Sequence, residues 1–506
     1  MNSKKRTFRL ILFFLLTCLS CHNYKPKQVL RIGIFHKLTP VNPFINDYSI
    51  SSSVLDLVYD SLIRITPKGE IIPSIATSWY QENSPLAWIF VINDQIQFQD
   101  SSRVNADDVV YSLERSSKAK NMGFSNLFKN IQNVEKISDN KIKITLTQMD
   151  STFWVALQAS KIVPKKYFNT SENEKAFELH PIGSGPFKVE TQTESEISLI
   201  SNSKYFELEP RLKKIIIRSF QDEQAVLNQL ISGNIDFIFM LSPQDYGALS
   251  KLPEIKIYKN WYPLLYSFMF NFKNPLFQER DIRTALNYAL DKKRIIKDIL
   301  NEQGFLSEGT QETISSLDPY KPEISKTLLL NKGWKLDTED GILKKNNLKL
   351  EFNSTYLEGD EISRKTLNFF QDDLRKIGIK LNPKPISPSS FQNFIFNKRD
   401  FDSVILISVF RPFYQNEFGF FHSSQIKEGM NISAYNNPTL DKILEQYRSY
   451  PTLSENYQRM QKFLIEEKPA LFLFWRQMPI VVHQKFKGIP PDRMETLRDL
   501  MYVYEE

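Results

Sequence analysis

Two kinds of segment alternate along this chain, and that alternation sets its class of fold. "VLRIGIF", "AWIFVI", "KIKITLTQ", "SEISLIS", "LKKIIIRSF", "LKLEFNSTY" and "DSVILISVF" are short and rich in β-branched and aromatic residues, as strands are. Between them, "ADDVVYSLERSS", "EQAVLNQLISG", "ISRKTLNFFQDDLRKIG" and "PTLDKILEQYRSY" return apolar residues every three or four positions, the period of a helix with one buried face. Strands interleaved with helices build sheets covered by helices, an α/β architecture. The chain has 506 residues, beyond the ~250–300 at which one core stops growing, so two or three lobes are expected. A serine cap predicts a helix over "SISSSVLDLVYDSLIRI" directly after the first strand. A long core-facing helix is expected over "RDIRTALNYALDKKRIIKDIL", where Ile282, Ala285, Leu286, Ala289, Ile295, Ile296 and Ile299 share a face.

The N-terminus has a different character. Lys4, Lys5, Arg6 and Arg9 precede the apolar run "LILFFLLTCL" and a Ser20-Cys21 pair, the layout of a secretory signal. The run is about ten residues, half of the ~20 that span a bilayer. Cys18 and Cys21 are the only two cysteines and both lie in this leader, so the exported chain has no disulfide. Cys21 follows a small residue after a short apolar run, which resembles the lipobox of bacterial lipoproteins. Residues 1–20 are then a lipoprotein signal, Cys21 is acylated, and residues 21–28 are a tether. The alternative is an ordinary cleaved signal.

Charge and motif content exclude several kinds of chemistry. The net charge of +7 arises from 65 basic and 58 acidic residues mixed along the chain, which is a solvated surface and no nucleic-acid footprint. The five histidines, His22, His36, His180, His422 and His483, form no helical ligand pair, and no zinc-protease or nucleophile-elbow motif occurs. No catalytic residue, cofactor or metal is expected. Aromatic residues reach 13% and cluster with amide or guanidinium groups in "VFRPFYQNEFGFF" and "LFLFWRQMP". Most belong to cores, but Arg411 and Arg476 beside large rings match the apolar walls and few oriented polar groups of a ligand site.

"HPIGSGPFKVE" raises a separate question, because Gly183-x-Gly185 is half of a dinucleotide fingerprint. Pro186 blocks the helix that a phosphate loop requires, so a structural turn is expected, with the glycines giving passage and Pro186 setting the following strand.

The order of these segments resembles the family 5 extracellular solute-binding proteins of peptide-type ABC importers across about 470 residues. Phe98, Asp100, Ala106, Asp108, Val109, Ser112 and Arg115 fit one family block, with Ser101 where glycine is usual. "HPIGSGPFKVE", "LISGNIDF", "RDIRTALNYALDKKRII" and "NISAYNNPTLDKILEQ" fit later blocks in order. The resemblance implies a two-lobed periplasmic-binding-protein-like fold of type II, cluster C, with an inserted subdomain. Residues 29–66, 189–264 and 478–506 would form lobe I, 67–188 the subdomain and 265–477 lobe II, hinged near 263–272 and 474–484.

It further implies a monomer outside the cytoplasm, anchored to a bacterial membrane by lipid, that gives oligopeptides to a permease and its ATPases. Phe410, Arg411, Phe413, Tyr414, Glu417, Trp475 and Arg476 are the expected ligand-binding residues. Peptide-binding members carry a W-x-x-D segment whose aspartate pairs with the peptide amine; alignment on Phe420-Phe421 puts Phe410 and Phe413 at those positions. Glu417 is then the nearest substitute carboxylate. Ligands without a free amine, such as a modified peptide, a cell-wall fragment or a metal chelate, and a surface adhesin or sensor on the same fold, are the alternatives.

Overall fold

The computed structural model describes residues 28–506 except 45–49, 67–68, 120–124, 240–241, 259–263, 311–319, 411–415, 428, 450–454, 491–493 and 495. The leader, Cys21 and most of the tether lie outside the described residues.

The first lobe is built on a seven-stranded sheet. Its spatial order is Ile255–Tyr258, Ile480–His483, Phe237–Ile238, Val29–Ile34, Lys214–Ser219, Glu196–Ser201 and Phe187–Gln192. Val29–Ile34 is central and pairs in parallel with both neighbours. Its residues Leu30, Ile32 and Ile34 are buried with Ile215, Ile217 and Phe237 in one core.

The second lobe has a six-stranded sheet in the order Gly304–Leu306, Ala470–Arg476, Leu264–Phe270, Ser403–Val409, Glu351–Leu357 and Lys380–Ile386. Helices cover both faces, which is why "ALFLFWR" is almost continuously apolar. Leu471, Leu473 and Phe474 join a core with Ile282, Leu286, Leu367 and Phe370. Phe472 and Trp475 join a separate core with Leu440, Leu444, Met460 and Leu464. A smaller antiparallel sheet of Ala76–Gln81, Ala87–Ile92, Lys141–Leu146 and Ile131–Ser138 packs under the helices Ala106–Ser117 and Thr152–Ala159. Asn105 and Asp108 close a reciprocal capping box at the start of the first of these helices.

Two expected helices are shorter than their patterns. The first is Ile50–Val58, and "IRI" beyond it is the strand Ile63–Ile65, paired with Ile71–Pro73. The long helix divides into Arg280–Ala289 and Lys292–Asp298. Asp291 interrupts it: its side chain accepts from Arg294 N at 3.0 Å, and its own N–H donates to buried Asp373 at 3.1 Å. All seven apolar positions still enter one core, so the face was legible although the break was not.

Candidate functional site

The pairing registers place two strand rims beside each other. In the second sheet, Glu351–Leu357 is parallel to Lys380–Ile386 and to Ser403–Val409. Leu264–Phe270 is antiparallel to both Ser403–Val409 and Ala470–Arg476, so these two share that direction. Leu357, Ile386, Val409 and Arg476 are therefore carboxyl ends on one rim. In the first sheet, Val29–Ile34, Lys214–Ser219 and Phe237–Ile238 also run together, and Ile238 pairs with Val481. Only residues 477–479 separate Arg476 from Ile480. Open α/β sheets take ligands outside the carboxyl ends of their strands, and here two such rims adjoin at the chain crossover.

Four expected binding residues are described, all on the second lobe. Phe410 follows Val409 on the rim and packs edge-on to Trp475 at 6.4 Å between ring centroids, with Phe420 at 5.9 Å. Trp475 is 1% exposed, and its Nε1 has no partner. Arg476 is half-buried beside Tyr266, whose hydroxyl burial pushes up to about 12 while Arg476 acts in the opposite direction. Glu417 lies deeper, in the helix Asn416–Phe421. Thr310 Oγ1 donates to it at 2.6 Å, and Gln461 Nε2 donates to Thr310 at 2.6 Å. No ion pair reaches it among the described residues, and burial raises its pKa. Arg411, Phe413 and Tyr414 lie outside the described residues.

The "GSG" turn is a close approach to the end of helix Ile50–Val58. A Cβ on Gly183 would sit 1.9 Å from Val58 O, and one on Gly185 2.5 Å from Val58 C. Gly185 N donates to Val58 O at 2.9 Å, and Pro186 leads into the strand Phe187–Gln192. The turn delivers Ser184, whose Oγ donates to buried Asp60 at 2.9 Å. Arg498 Nη1 donates to the same carboxylate at 2.7 Å and Tyr205 Oη at 3.2 Å, so the stretch belongs to a packed polar core.

Sequence reasoning missed two groups. Phe35, His36, Phe220 and Phe239 follow the carboxyl ends of the first sheet; burial lowers the pKa of His36, and its ring lies 4.3 Å from that of Phe35. Their signal was available as the residues directly after each strand. The other group is a contact between the smaller sheet's unit and the second lobe. Arg448, at the end of Pro438–Ser449, meets Asp150 through Nε at 3.1 Å and also through Nη2; Ser151 N donates to Arg448 O at 3.3 Å. Their side chains are 13% and 0% exposed, and the guanidinium also covers Phe418 at 4.5 Å. Nothing in sequence links residues 298 apart. Among the described residues, no group of three or more His, Cys, Asp or Glu is arranged to hold a metal, and no helix is long and apolar enough to cross a membrane.

Comparison with known proteins adds four findings. Residues 70–424 match the family model for bacterial extracellular solute-binding proteins, family 5, middle region. The oligopeptide-binding protein AppA of Bacillus subtilis (strain 168) is 28% identical over 491 residues, covering 92% of this chain and 89% of AppA. The structure of AppA from Bacillus subtilis with a nonapeptide superposes with a TM-score of 0.74 at 25% identity, covering 95% of this chain and all of the other. NikZ from Campylobacter jejuni in complex with Ni(L-His) gives 0.77 at 24% identity, with 95% and 100% coverage.

Proposed function

The chain belongs to the bacterial extracellular solute-binding proteins of family 5, and on that premise we propose that it captures oligopeptides between its lobes and presents them to the permease of an ABC importer. The observation that carries this reading is the meeting of two carboxyl-end rims at the crossover, with Phe410, Trp475 and Arg476 on one side. AppA, similar along nearly the whole chain, is named for oligopeptides. Phe410, Arg411, Phe413, Tyr414, Trp475 and Arg476 are proposed to contact ligand. The domain boundaries at 66, 188, 264 and 477 are proposed with them, as is a monomer anchored outside the cytoplasm through acylated Cys21.

Closure binds ligand to the folded chain alone, so saturating ligand raises stability by ~2.7 kcal/mol at a hundredfold excess over Kd. A refolded, ligand-free sample is mixed with a peptide library and read by native mass spectrometry and thermal melting. Captured peptides with a melting shift are expected; no capture and no shift would remove the oligopeptide reading. Anchoring is tested by Cys21→Ser, which should move the protein from the membrane to the soluble fraction.

One observation favours a second ligand class. Glu417 is the carboxylate nearest the place where the resemblance expects an amine anchor, and it is already engaged by Thr310 inside the second lobe. A ligand without a free amine, such as an acylated peptide, fits that arrangement. An acetylated peptide binding more tightly than its free-amine partner supports this class, and the reverse order rejects it.

A further inference from the structure

We propose that Arg476 is an anion anchor, and that the ligand brings a carboxylate to the rim of the second sheet. The proposal rests on the cleft reading above and adds the chemistry that one point of the cleft demands. Every other half-buried or buried arginine among the described residues has an acceptor. Arg31 pairs with Asp236, Arg64 with Glu207, Arg115 with Glu174, Arg218 with Glu196, Arg294 with Asp373, Arg364 with Glu361, Arg448 with Asp150 and Arg498 with Asp60. Arg283 and Arg399 donate to backbone carbonyls instead.

Arg476 alone among these meets neither a carboxylate nor a backbone carbonyl of a described residue; its polar neighbour is the Tyr266 hydroxyl, and its Nε is buried without a partner. A guanidinium carries five donors in a planar fork, and charges withdrawn from water are normally paired. The nearby carboxylate of Asp360, whose charge reaches Tyr266, accepts from Ser363 N at 3.2 Å as the cap of helix Glu361–Arg375.

Strand alternation sets the direction of Arg476: Trp475 and Phe305 face the core with Phe410, whereas Arg476, opposite Gly304, shares the face of Tyr266 and Phe474. Gln303 O accepts from Gln477 N at 3.0 Å, which fixes that segment to the rim. An unpaired guanidinium nitrogen at a strand end beside the crossover is prepared for an acceptor that arrives with the ligand. A carboxylate fits the guanidinium fork in two parallel hydrogen bonds.

The test uses ligand-stripped parent, Arg476→Gln and Arg476→Lys. Without ligand, Arg476→Gln should melt no lower than the parent and is expected about 2 °C higher, because a charge with no partner is removed. A lower melting temperature would mean that Arg476 is paired within the protein, and would overturn the proposal. A tryptic peptide pool is then offered in free-acid and methyl-ester forms and capture is read by native mass spectrometry. The parent should prefer the acids at least tenfold, Arg476→Gln should lose that preference, and Arg476→Lys should keep part of it. Equal capture of acids and esters by the parent overturns the anchor while leaving the cleft intact. Capture of neither pool rejects peptides as ligands, and the melting comparison then decides the anchor by itself.

Discussion

Arg498 in the first lobe and Arg476 in the second are both half-buried beside a tyrosine, and their surroundings differ in kind. Arg498 meets Asp60, Tyr205 and Glu207, and Asp60 is also held by Ser184 from the glycine turn. Arg476 meets Tyr266 and, among the described residues, no carboxylate. A closed polar network fixes one arrangement of a core, whereas an open one keeps donors ready at a binding surface. On the proposal above, the difference separates residues that hold a lobe together from a residue that waits for a guest.

The largest effect should come from the closed side. Arg498→Met leaves Asp60 buried without its cation, at a cost of about 3–5 kcal/mol. Urea unfolding measures it, and a loss below about 1 kcal/mol would erase the contrast with Arg476. Gly183→Ala attacks the same network through its backbone, since the new methyl group collides with Val58 O. A loss of about 3 kcal/mol is expected, at the upper end for overpacking; unchanged thermal stability would show that the turn relaxes freely.

Arg448→Met tests a third arrangement, an ion pair joining the small-sheet unit to the second lobe. A hydrogen bond to a charged group contributes about 1.5–3 kcal/mol, so the lobes should open. Small-angle scattering on the ligand-free protein should show a larger radius of gyration, and an unchanged radius would make the contact incidental.

Glu417 gives the smallest effect and completes the comparison, as a buried carboxyl with no cation among the described residues against Asp60 with one. Its folded pKa is raised by burial. Its stabilising contribution is therefore complete below the unfolded pKa, near the ordinary glutamate value, and is lost as pH rises through the folded one. Glu417→Gln should flatten that decline in melting temperature with pH. An identical pH profile for parent and variant would show that the carboxyl ionises without penalty.

Much of the architecture was legible because periodicity survives without context. Strands such as Ala87–Ile92 and helices such as Ala106–Ser117 coincide with their sequence patterns. The break at Asp291 was not, since the helical face continues through it and only the contact with Asp373 reveals the interruption. Ser101, noted as standing in a glycine position, does adopt a left-handed φ of 70°. At the site, Trp475 and Arg476 were visible as rings beside a guanidinium. That Glu417 faces Thr310, or that Arg476 meets no carboxylate among the described residues, was not visible, because pairing depends on which distant segments meet.

The short link after Arg476 has a kinematic consequence. Arg476 ends a strand bonded into one sheet, Ile480 begins a strand bonded into the other, and Gln477 N is tied to Gln303 O. Proline fixes φ at Pro479 and confines Met478 before it to extended conformations. Along this link, few torsions remain free to absorb a rotation between the lobes. If the lobes close on a ligand as proposed, such a joint would act as a pivot with a narrow arc, and a guest too long for that arc would protrude through the mouth instead of forcing the lobes wider.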